Sequence, residues 1–367
     1  MIKAVKSVEG RKRVGAALLV GALLSALPVD ALAETRFGVN RMNMAWLPAA
    51  EREKIFDQMV ENGVTAVRLS LSRPIDKSID AVRLAHEKNL SILLEISLNN
   101  ADFYPAGTKP RSGRGRIWDM YRLSDIEPER FQTVIAAALQ KIDALGVPLV
   151  GVETGNEINW GAYNGDLAIL PKEKTKTARS LNEVEERPLV EKGAEKYVEL
   201  LRVVRSELAK TKHSANAKVV SAGLSDIPFA YADRRGIDSV DPASFTDLMK
   251  KYGLDKVADG YGIHIYPGSD GTPAAREKHI GNALSFCVTG GKPCWVTEWG
   301  FANTAKTCPA RDDNREKLVE TVYERFRRMM ENGQIAAAYY FNWDEGTYGV
   351  WRCGALTPAG QAATVTK

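Results

Sequence analysis

The chain has 367 residues, of which 44% are hydrophobic and 26% are charged. This balance is typical of a globular protein with enough apolar side chains for a large core, and it excludes a disordered or low-complexity chain. The 50 basic and 46 acidic residues give a formal net charge of only +4. Such a small excess does not create the positive field of nucleic-acid-binding proteins, so we predict no nucleic-acid partner.

The first 33 residues have the pattern of a secretory signal peptide. Five basic residues between Lys3 and Arg13 precede an apolar run, Val14–Leu27, and Ala31–Ala33 supplies the small residues that a signal peptidase requires. An uncleaved membrane anchor is the alternative, although the run is short for a membrane span and no other run is long enough. We therefore predict a secreted or periplasmic mature protein, residues 34–367, with no stable membrane span. It retains 45 basic and 44 acidic residues, because the predicted peptide removes five and two.

Four cysteines lie in the last quarter of the mature chain, at positions Cys287, Cys294, Cys308 and Cys353. An even number of cysteines in an exported protein indicates disulfides, and four cysteines allow three pairings. We favour Cys287–Cys294, which is close in sequence, and Cys308–Cys353, which ties two late loops together. A zinc site is the alternative, but the chain has no CxxC pair and no histidine cluster beside these cysteines.

Eight short apolar segments with little alternation have the pattern of strands that are buried on both faces. They are Arg36–Asn40, Thr65–Leu71, Ser91–Ser97, Leu149–Asn156, Lys218–Leu224, Ala258–Tyr266, Pro293–Trp299 and Ile335–Trp343.

Segments with helical periodicity separate these strands. They are Ala49–Asn62, Asp76–Lys88, Pro128–Leu145, Glu183–Lys210, Ala243–Tyr252, Ala274–Leu284 and Asp312–Asn332. Several are followed by a glycine that suits a helix C-terminus, namely Gly63, Gly146, Gly253 and Gly333. The alternation predicts a single-domain (β/α)₈ barrel over residues 34–367. An open doubly wound sheet is the alternative, but its glycine-rich phosphate-binding turn after the first strand is missing.

Long connections follow the third, fourth and seventh predicted strands, over Leu98–Glu127, Trp160–Asn182 and Gly300–Arg311. These connections lie on the C-terminal face of a barrel, which is where such folds place their active sites. Only a short tail follows the eighth strand, so we expect the final helix to be short or absent.

Two glutamates stand at predicted strand ends. Glu157 closes the fourth strand in the sequence Gly-Asn-Glu-Ile-Asn-Trp, and Glu298 closes the seventh in Trp-Val-Thr-Glu-Trp-Gly. The fourth and seventh strands lie across the barrel mouth from each other, so these carboxyl groups can face a common ligand. Hydrolysis of a glycosidic bond requires such a pair, because one carboxyl group protonates the leaving oxygen while the other attacks the anomeric carbon.

These motifs resemble glycoside hydrolase clan A, the retaining (β/α)₈ glycosidases, and look closest to families 5 and 39. The resemblance is specific at strands four and seven, and it covers nearly the whole mature chain in strand order. It implies that Glu157 is the general acid/base and Glu298 the nucleophile. It also implies that Asn156 donates a hydrogen bond to the sugar 2-hydroxyl.

The resemblance assigns roles to four further strand-end residues. Arg68 is expected to hold Glu298 ionised, since an opposite charge lowers a carboxyl pKa. His264 and Tyr266 are expected to contact the sugar and the nucleophile, and Trp343 to form an aromatic platform beneath the sugar. Each has a structural alternative: an ion-pair partner for Arg68, and ordinary core packing for His264 and Trp343.

Other polar and aromatic residues near these strand ends are harder to assign. Trp160 either stacks on the leaving-group sugar or packs within its loop. Glu153 points the same way as Glu157 along the strand, and we interpret it as a buried structural carboxylate or a partner of Arg68. The basic segment Lys109–Arg116 is either a solvated loop or a contact for an acidic polysaccharide.

The sequence therefore predicts an exported retaining glycoside hydrolase that cleaves a β-linked polysaccharide or oligosaccharide by double displacement, with no cofactor and no metal. A glycan-remodelling transglycosylase would use the same two glutamates. A non-catalytic carbohydrate-binding barrel is a further alternative, although the complete set of supporting residues argues against it. Neither the sugar nor the oligomeric state is readable from the sequence, because fold and motif do not determine them.

Overall fold

The computed structural model describes residues 37–111, 120–169, 176–303, 305, 307–310 and 312–364. Eight parallel strands form a closed barrel in chain order, each hydrogen-bonded to its sequence neighbours, with the eighth closing onto the first. The barrel strands are β1 (Phe37–Asn40), β2 (Ala66–Leu71), β3 (Ser91–Ile96), β4 (Leu149–Asn156), β5 (Lys218–Ser225), β6 (Tyr261–Ile265), β7 (Cys294–Trp299) and β8 (Ile335–Tyr340). The predicted (β/α)₈ barrel is confirmed.

Helices lie between the strands and cover the outside of the barrel. They are α1 (Ala49–Glu61), α2 (Ile75–Glu87), α3 (Pro128–Ala144), α4 (Arg187–Leu208), α5 (Phe229–Arg235), α6 (Pro242–Lys251), α7 (Leu254–Val257), α8 (Pro273–Gly290), α9 (Asp313–Glu331) and α10 (Pro358–Thr364). A two-stranded hairpin of β9 (Trp351–Arg352) and β10 (Ala355–Leu356) precedes α10. The final helix is short, as predicted.

The departures from the predicted elements include two extra helices, a longer α8 and a shorter β8. Helices α5 and α7 were not predicted, because each is too short to show a full apolar period. Helix α8 continues six residues past its predicted end and so includes Cys287. Strand β8 ends at Tyr340 rather than Trp343, which changes the aromatic side chain that reaches the barrel mouth.

The barrel interior changes from apolar to charged along the strand direction. A small apolar cluster fills the N-terminal end, and it includes Leu93, Trp295 and Tyr339. Because alternate strand residues point inward, the next inward positions toward the C-terminal end include Arg68 and Glu95, and both side chains are fully buried. The larger apolar cluster packs between the strands and the helices. The polar groups are therefore concentrated beneath the mouth of the barrel.

Both predicted disulfides are present. Cys287 in α8 is bonded to Cys294 at the start of β7, and Cys308 after β7 is bonded to Cys353 in the turn between β9 and β10. All four cysteines are thus disulfide-bonded, which fits an oxidising compartment. The predicted signal peptide lies outside the described residues. Within the described part of the chain, every helix is too short or too polar to cross a membrane.

The two disulfides are expected to contribute unequally to stability. The Cys308–Cys353 bond closes a loop with a sequence separation of 45, and the Cys287–Cys294 bond one with a separation of 7. Loop-closure entropy predicts a loss in unfolding free energy of about 4 kcal/mol for Cys308→Ala/Cys353→Ala and about 2 kcal/mol for Cys287→Ala/Cys294→Ala. Denaturant unfolding of each double variant beside the wild type measures the difference. A larger loss from the short loop would contradict this ranking.

Candidate active site

A cleft with a cavity volume of about 370 Å³ opens at the barrel mouth, where the strands end. Part of its lining comes from strand ends and part from the loops after β1, β3, β4 and β8. Its members include Glu95, Asn156 and Glu298 from strands, and Trp46, Tyr163 and Phe341 from loops. The cleft is on the predicted face, and the loops after β3 and β4 contribute to it as expected.

Glu157 directly follows β4 and adopts a left-handed backbone conformation, with φ of 48°. Residues other than glycine rarely adopt this conformation, and its strain is of the order of 1–3 kcal/mol. The Glu157 amide donates a hydrogen bond of 2.9 Å to the carbonyl oxygen of Gly223 on β5, which holds the turn in place. This turn fixes where the Glu157 carboxyl group points relative to the barrel axis.

Two side chains hold the Glu157 carboxyl group. The indole nitrogen of Trp160 donates to Oε2 at 2.9 Å, and Nδ1 of His264 lies 2.9 Å from Oε1. Trp160 is only 3% exposed and packs with Ala162 and Ile237, so its ring faces are covered by protein. Of the two alternatives for Trp160, the structure contains the packing within its loop.

Glu298 lies near the end of β7 and is held by two other side chains. Arg68 donates to Oε1 at 2.8 Å, and the hydroxyl group of Tyr266 donates to Oε2 at 2.5 Å. Burial and the nearby Glu298 carboxylate raise the pKa of Tyr266 well above its usual value, so Tyr266 stays a hydrogen-bond donor. One carboxylate oxygen of Glu298 lies within 4.8 Å of one of Glu157.

Arg68 binds two carboxylates inside the barrel, those of Glu153 and Glu298. Its Nε donates to Glu153 Oε2 at 2.6 Å, while its terminal nitrogens bind Glu298 and the side-chain oxygens of Asn40 and Asn156. Glu153 also accepts hydrogen bonds of 2.8 Å from the Gly223 amide and the Thr297 hydroxyl group. The interpretation of Glu153 as a buried partner of Arg68 is thus confirmed.

Asn156 is oriented by the same arginine. Arg68 donates to Oδ1 of Asn156 at 3.0 Å, and Asn156 lines the cleft. Because its amide oxygen already accepts this bond, the amide nitrogen is the group that Asn156 can offer to a ligand. The predicted donor role of Asn156 is compatible with this geometry and stays a prediction.

His264 lies between the two carboxylates, with Nδ1 also 3.4 Å from Glu298 Oε2. The imidazole ring occupies space that a side chain on Gly223 would fill, since a Cβ there would lie 2.2 Å from His264 Nε2. Burial lowers the pKa of His264, but Glu298 and Glu157 outweigh this effect and leave the pKa above its usual value. His264 is fully buried and is not among the residues that line the cleft, so the sugar contact expected for it stays a prediction.

The aromatic platform predicted at Trp343 is wrong. Trp343 is fully buried and stacks on Trp351, with ring centroids 5.5 Å apart. Phe341 is the aromatic residue after β8 that lines the cleft. The prediction extended the strand by three residues, whereas the chain turns away after Tyr340, so the residue that shares the inward side with Tyr339 at the mouth is Phe341.

Sequence reasoning also missed contributions from Trp46, Tyr163 and Glu345, which line the cleft. Trp46 is 52% exposed at the rim, and its indole nitrogen donates to the carbonyl oxygen of Arg73. These residues lie in loops, where strand periodicity gives no signal. The aromatic residues in the connections after β1 and β4 were the sequence signal for Trp46 and Tyr163.

The basic segment Lys109–Arg116 is described only as far as Arg111. Arg111 contacts Glu186 at 2.5 Å and the carbonyl oxygen of Gly165 at 3.0 Å. Its charge is therefore neutralised within the protein, and Arg111 ties the β3 loop to the β4 loop. The rest of the segment, from Ser112 onward, lies outside the described residues.

One atom from each of Glu157, His264 and Glu298 lies within 4.8 Å of the others, which is close enough for a shared cation. However, the Arg68 guanidinium group lies 2.8 Å from Glu298, and a positive charge at that distance disfavours a metal ion. His264 has its own raised pKa, whereas a metal ligand must be unprotonated. That the site works without a metal stays a prediction.

Comparison with solved structures places the chain among barrel proteins. One of two fungal β-1,4-galactanases aligns over 92% of this chain and 96% of its own, with 13% identity and a TM-score of 0.53. The endo-1,4-β-mannanase of Rhizomucor miehei aligns over 90% and 93%, with 13% identity and a TM-score of 0.51. A β-glucuronidase of Bacteroides uniformis gives a TM-score of 0.53 at 14% identity. The alignment includes 86% of this chain but only 32% of the glucuronidase.

The chain shares the barrel fold of these proteins. This likeness fits the resemblance to clan A drawn from the strand-end motifs, but identities this low describe the fold alone. No protein-family model and no curated protein matches the chain.

Proposed function

We propose that this protein is a retaining glycoside hydrolase with Glu298 as the nucleophile and Glu157 as the general acid/base. The observation that carries the proposal is the approach of their carboxylate oxygens within 4.8 Å at the mouth of the barrel. Retaining enzymes hold these groups about 5–5.5 Å apart, whereas inverting enzymes need about 6.5–9.5 Å to admit a water molecule. The short separation favours covalent catalysis.

In the first step, an oxygen of ionised Glu298 forms a bond to the anomeric carbon as the glycosidic C–O bond breaks. Glu157 gives its proton to the departing oxygen, so the leaving sugar departs as an alcohol. In the second step, Glu157 accepts a proton from water while the water oxygen bonds to the anomeric carbon. The Glu298 ester bond breaks, and both carboxyl groups return to their starting states.

The surroundings of the two glutamates suit these unequal tasks. Arg68 and Tyr266 both donate hydrogen bonds to Glu298, and these bonds hold its carboxylate in position for attack. Glu157 has Trp160 and His264 as partners and lies away from the Arg68 guanidinium contacts. The 2.9 Å contact between Nδ1 of His264 and Oε1 of Glu157 holds the Glu157 carboxyl group in place during both steps.

Export and substrate class are part of the same proposal. The signal-peptide pattern and the two disulfides support a secreted or periplasmic enzyme. The open cleft and its exposed Trp46 support a β-linked oligosaccharide or polysaccharide as substrate, because aromatic faces bind the apolar faces of sugar rings. The galactan and mannan named for two of the similar structures are substrates of those proteins.

The stereochemistry of the first product tests the proposal. A screen of polysaccharides and aryl glycosides identifies a substrate, and proton NMR during early turnover then identifies the anomer released. We expect retention of configuration, because two displacements at the anomeric carbon restore it. Initial release of the inverted anomer would contradict the assignment of Glu298. Longer products would reveal transglycosylation, and binding with no turnover would favour the carbohydrate-binding alternative.

A further inference from the structure

Glu95 is a carboxylate of the cleft that has no role in this mechanism. Glu95 lies near the end of β3, its side chain is fully buried, and it contributes to the cleft lining. Its Oε2 accepts a hydrogen bond of 2.7 Å from Ser97. Its Oε1 has no hydrogen-bond partner among the residues that the structure describes.

The unpaired oxygen of Glu95 contrasts with the neighbouring carboxylate of Glu153. Glu153 pairs with Glu95 in the register of β3 and β4, and it is equally buried. Both oxygens of Glu153 are occupied, by Arg68 on one side and by Gly223 and Thr297 on the other. A buried carboxylate with an unpaired oxygen is costly, so Glu95 has an open position that a ligand in the cleft can fill.

The interior also carries more negative than positive charge. Arg68 makes its salt bridges with Glu153 and Glu298, and none with Glu95. Burial raises the pKa of Glu95 to about 7, with Arg68 and Ser97 opposing this shift and Glu153 and Glu298 adding to it. Glu95 is therefore poised to lose its proton near neutral pH when a positive charge approaches.

The charges of the residues that line the cleft also favour a cationic ligand. Among the lining residues that the structure describes, Glu95, Glu298 and Glu345 are acidic, and none is lysine, arginine or histidine. Glu345 is paired with Arg41 at 2.6 Å, and Glu298 with Arg68. Glu95 differs from both because its side chain is fully buried and one of its oxygens has no partner among the described residues. Such a surface repels acidic sugars and attracts cationic ones.

We propose that the cleft recognises a sugar bearing a free amine, whose ammonium group binds Oε1 of Glu95. This inference rests on the proposed function and names the substrate class of the same site. A sugar hydroxyl group could also donate to Oε1, but a charge-assisted hydrogen bond is roughly twice as strong as a neutral one. An ammonium group additionally offsets the burial of the negative charge, which a hydroxyl group does not.

Binding of three oligosaccharides of equal length tests the proposal: a glucosamine oligosaccharide, its N-acetylated form and a neutral β-glucan. Calorimetry on the Glu157→Gln variant measures affinity while slowing consumption of the probes. We expect the amine-bearing probe to bind about 10- to 100-fold more tightly than the N-acetylated one. Adding Glu95→Gln is expected to remove this preference and to leave binding of the neutral probe nearly unchanged.

The pH dependence supplies an independent readout. Binding of the ammonium group requires ionised Glu95, so affinity for the amine-bearing probe is expected to rise between about pH 5 and pH 7. The Glu95→Gln variant lacks this rise.

The same carboxyl group makes the stability of the protein depend on pH. Folding raises the pKa of Glu95 from its usual value of 4.5 to about 7, so the stability contributed by the Glu95 carboxyl group is present below about pH 4.5 and is lost as the pH rises through about 7. Glu95→Gln should therefore fold at least as stably as the parent at pH 7, which thermal unfolding checks.

Glu345→Gln is the matched control, because it removes a lining carboxylate that already has Arg41 as its partner. It is expected to weaken binding of the amine-bearing probe much less than Glu95→Gln does. Equal affinity for the three probes, or an equal loss for all of them in Glu95→Gln, would overturn the proposal. Failure of this proposal can be told apart from failure of the proposed hydrolysis. If the wild type hydrolyses a neutral glycoside but shows no preference for an amine, only the amine proposal is wrong.

Discussion

The Glu298→Gly variant is expected to retain less than about 10⁻⁴ of wild-type turnover, because it lacks the group that forms the bond to the anomeric carbon. Azide fits the space vacated by the carboxylate and should restore part of this activity. The azide attacks from the side of Glu298, so the product should be a glycosyl azide of inverted configuration. Rates with an activated aryl glycoside, with and without azide, measure the rescue.

The Glu157→Gly variant makes the complementary test. Its nucleophile is intact, so the glycosyl-enzyme still forms with a good leaving group, and azide attacks that intermediate in the second step. The glycosyl azide should therefore have retained configuration, because two displacements have occurred. Glu345→Gly, which also removes a carboxylate from the cleft lining, is the control and should show no azide rescue. Exchanged configurations would mean that the two roles are reversed, and full activity in Glu298→Gly would refute the mechanism.

The Arg68→Met variant is expected to lose about 3–5 kcal/mol of unfolding free energy, the largest loss we expect from a single substitution in this barrel. Arg68 is fully buried and makes salt bridges of 2.6 Å with Glu153 and 2.8 Å with Glu298. Its removal leaves the Glu153 carboxylate, which has no exposed surface, without a balancing charge. Denaturant unfolding at neutral pH measures the loss.

Two variants separate the loss of charge balance from loss of packing. Arg83→Met removes an arginine that is paired with Asp80 and Glu87 on the protein surface, and it should change the unfolding free energy by less than about 1 kcal/mol. Adding Glu153→Gln to Arg68→Met should recover part of the lost stability, because the isolated buried charge is then absent. A double variant less stable than Arg68→Met alone would contradict this electrostatic explanation.

The amino-acid sequence by itself determined the barrel and the position of its two central glutamates. Buried parallel strands have continuous apolar runs, and this local pattern is strong enough to place the strand order without tertiary information. Once the strands are in order, Glu157 and Glu298 must face each other, because the fourth and seventh strands of a closed barrel end at the same mouth. The roles of Arg68 and Tyr266 came instead from the resemblance to clan A, and the structure places both side chains against Glu298.

Only the tertiary structure decided which side chains a ligand can reach. Trp160, Trp343 and Phe341 are all aromatic residues near strand ends, yet Phe341 alone of the three lines the cleft. Their exposure depends on where the chain turns after a strand, and a turn of two or three residues leaves little periodic signal. The lack of a hydrogen-bond partner for Oε1 of Glu95 was likewise decided by the tertiary structure. A hydrogen-bond partner is supplied or withheld by neighbouring strands distant in sequence, so Glu95 and Glu153 look alike along the chain and differ only in the folded barrel.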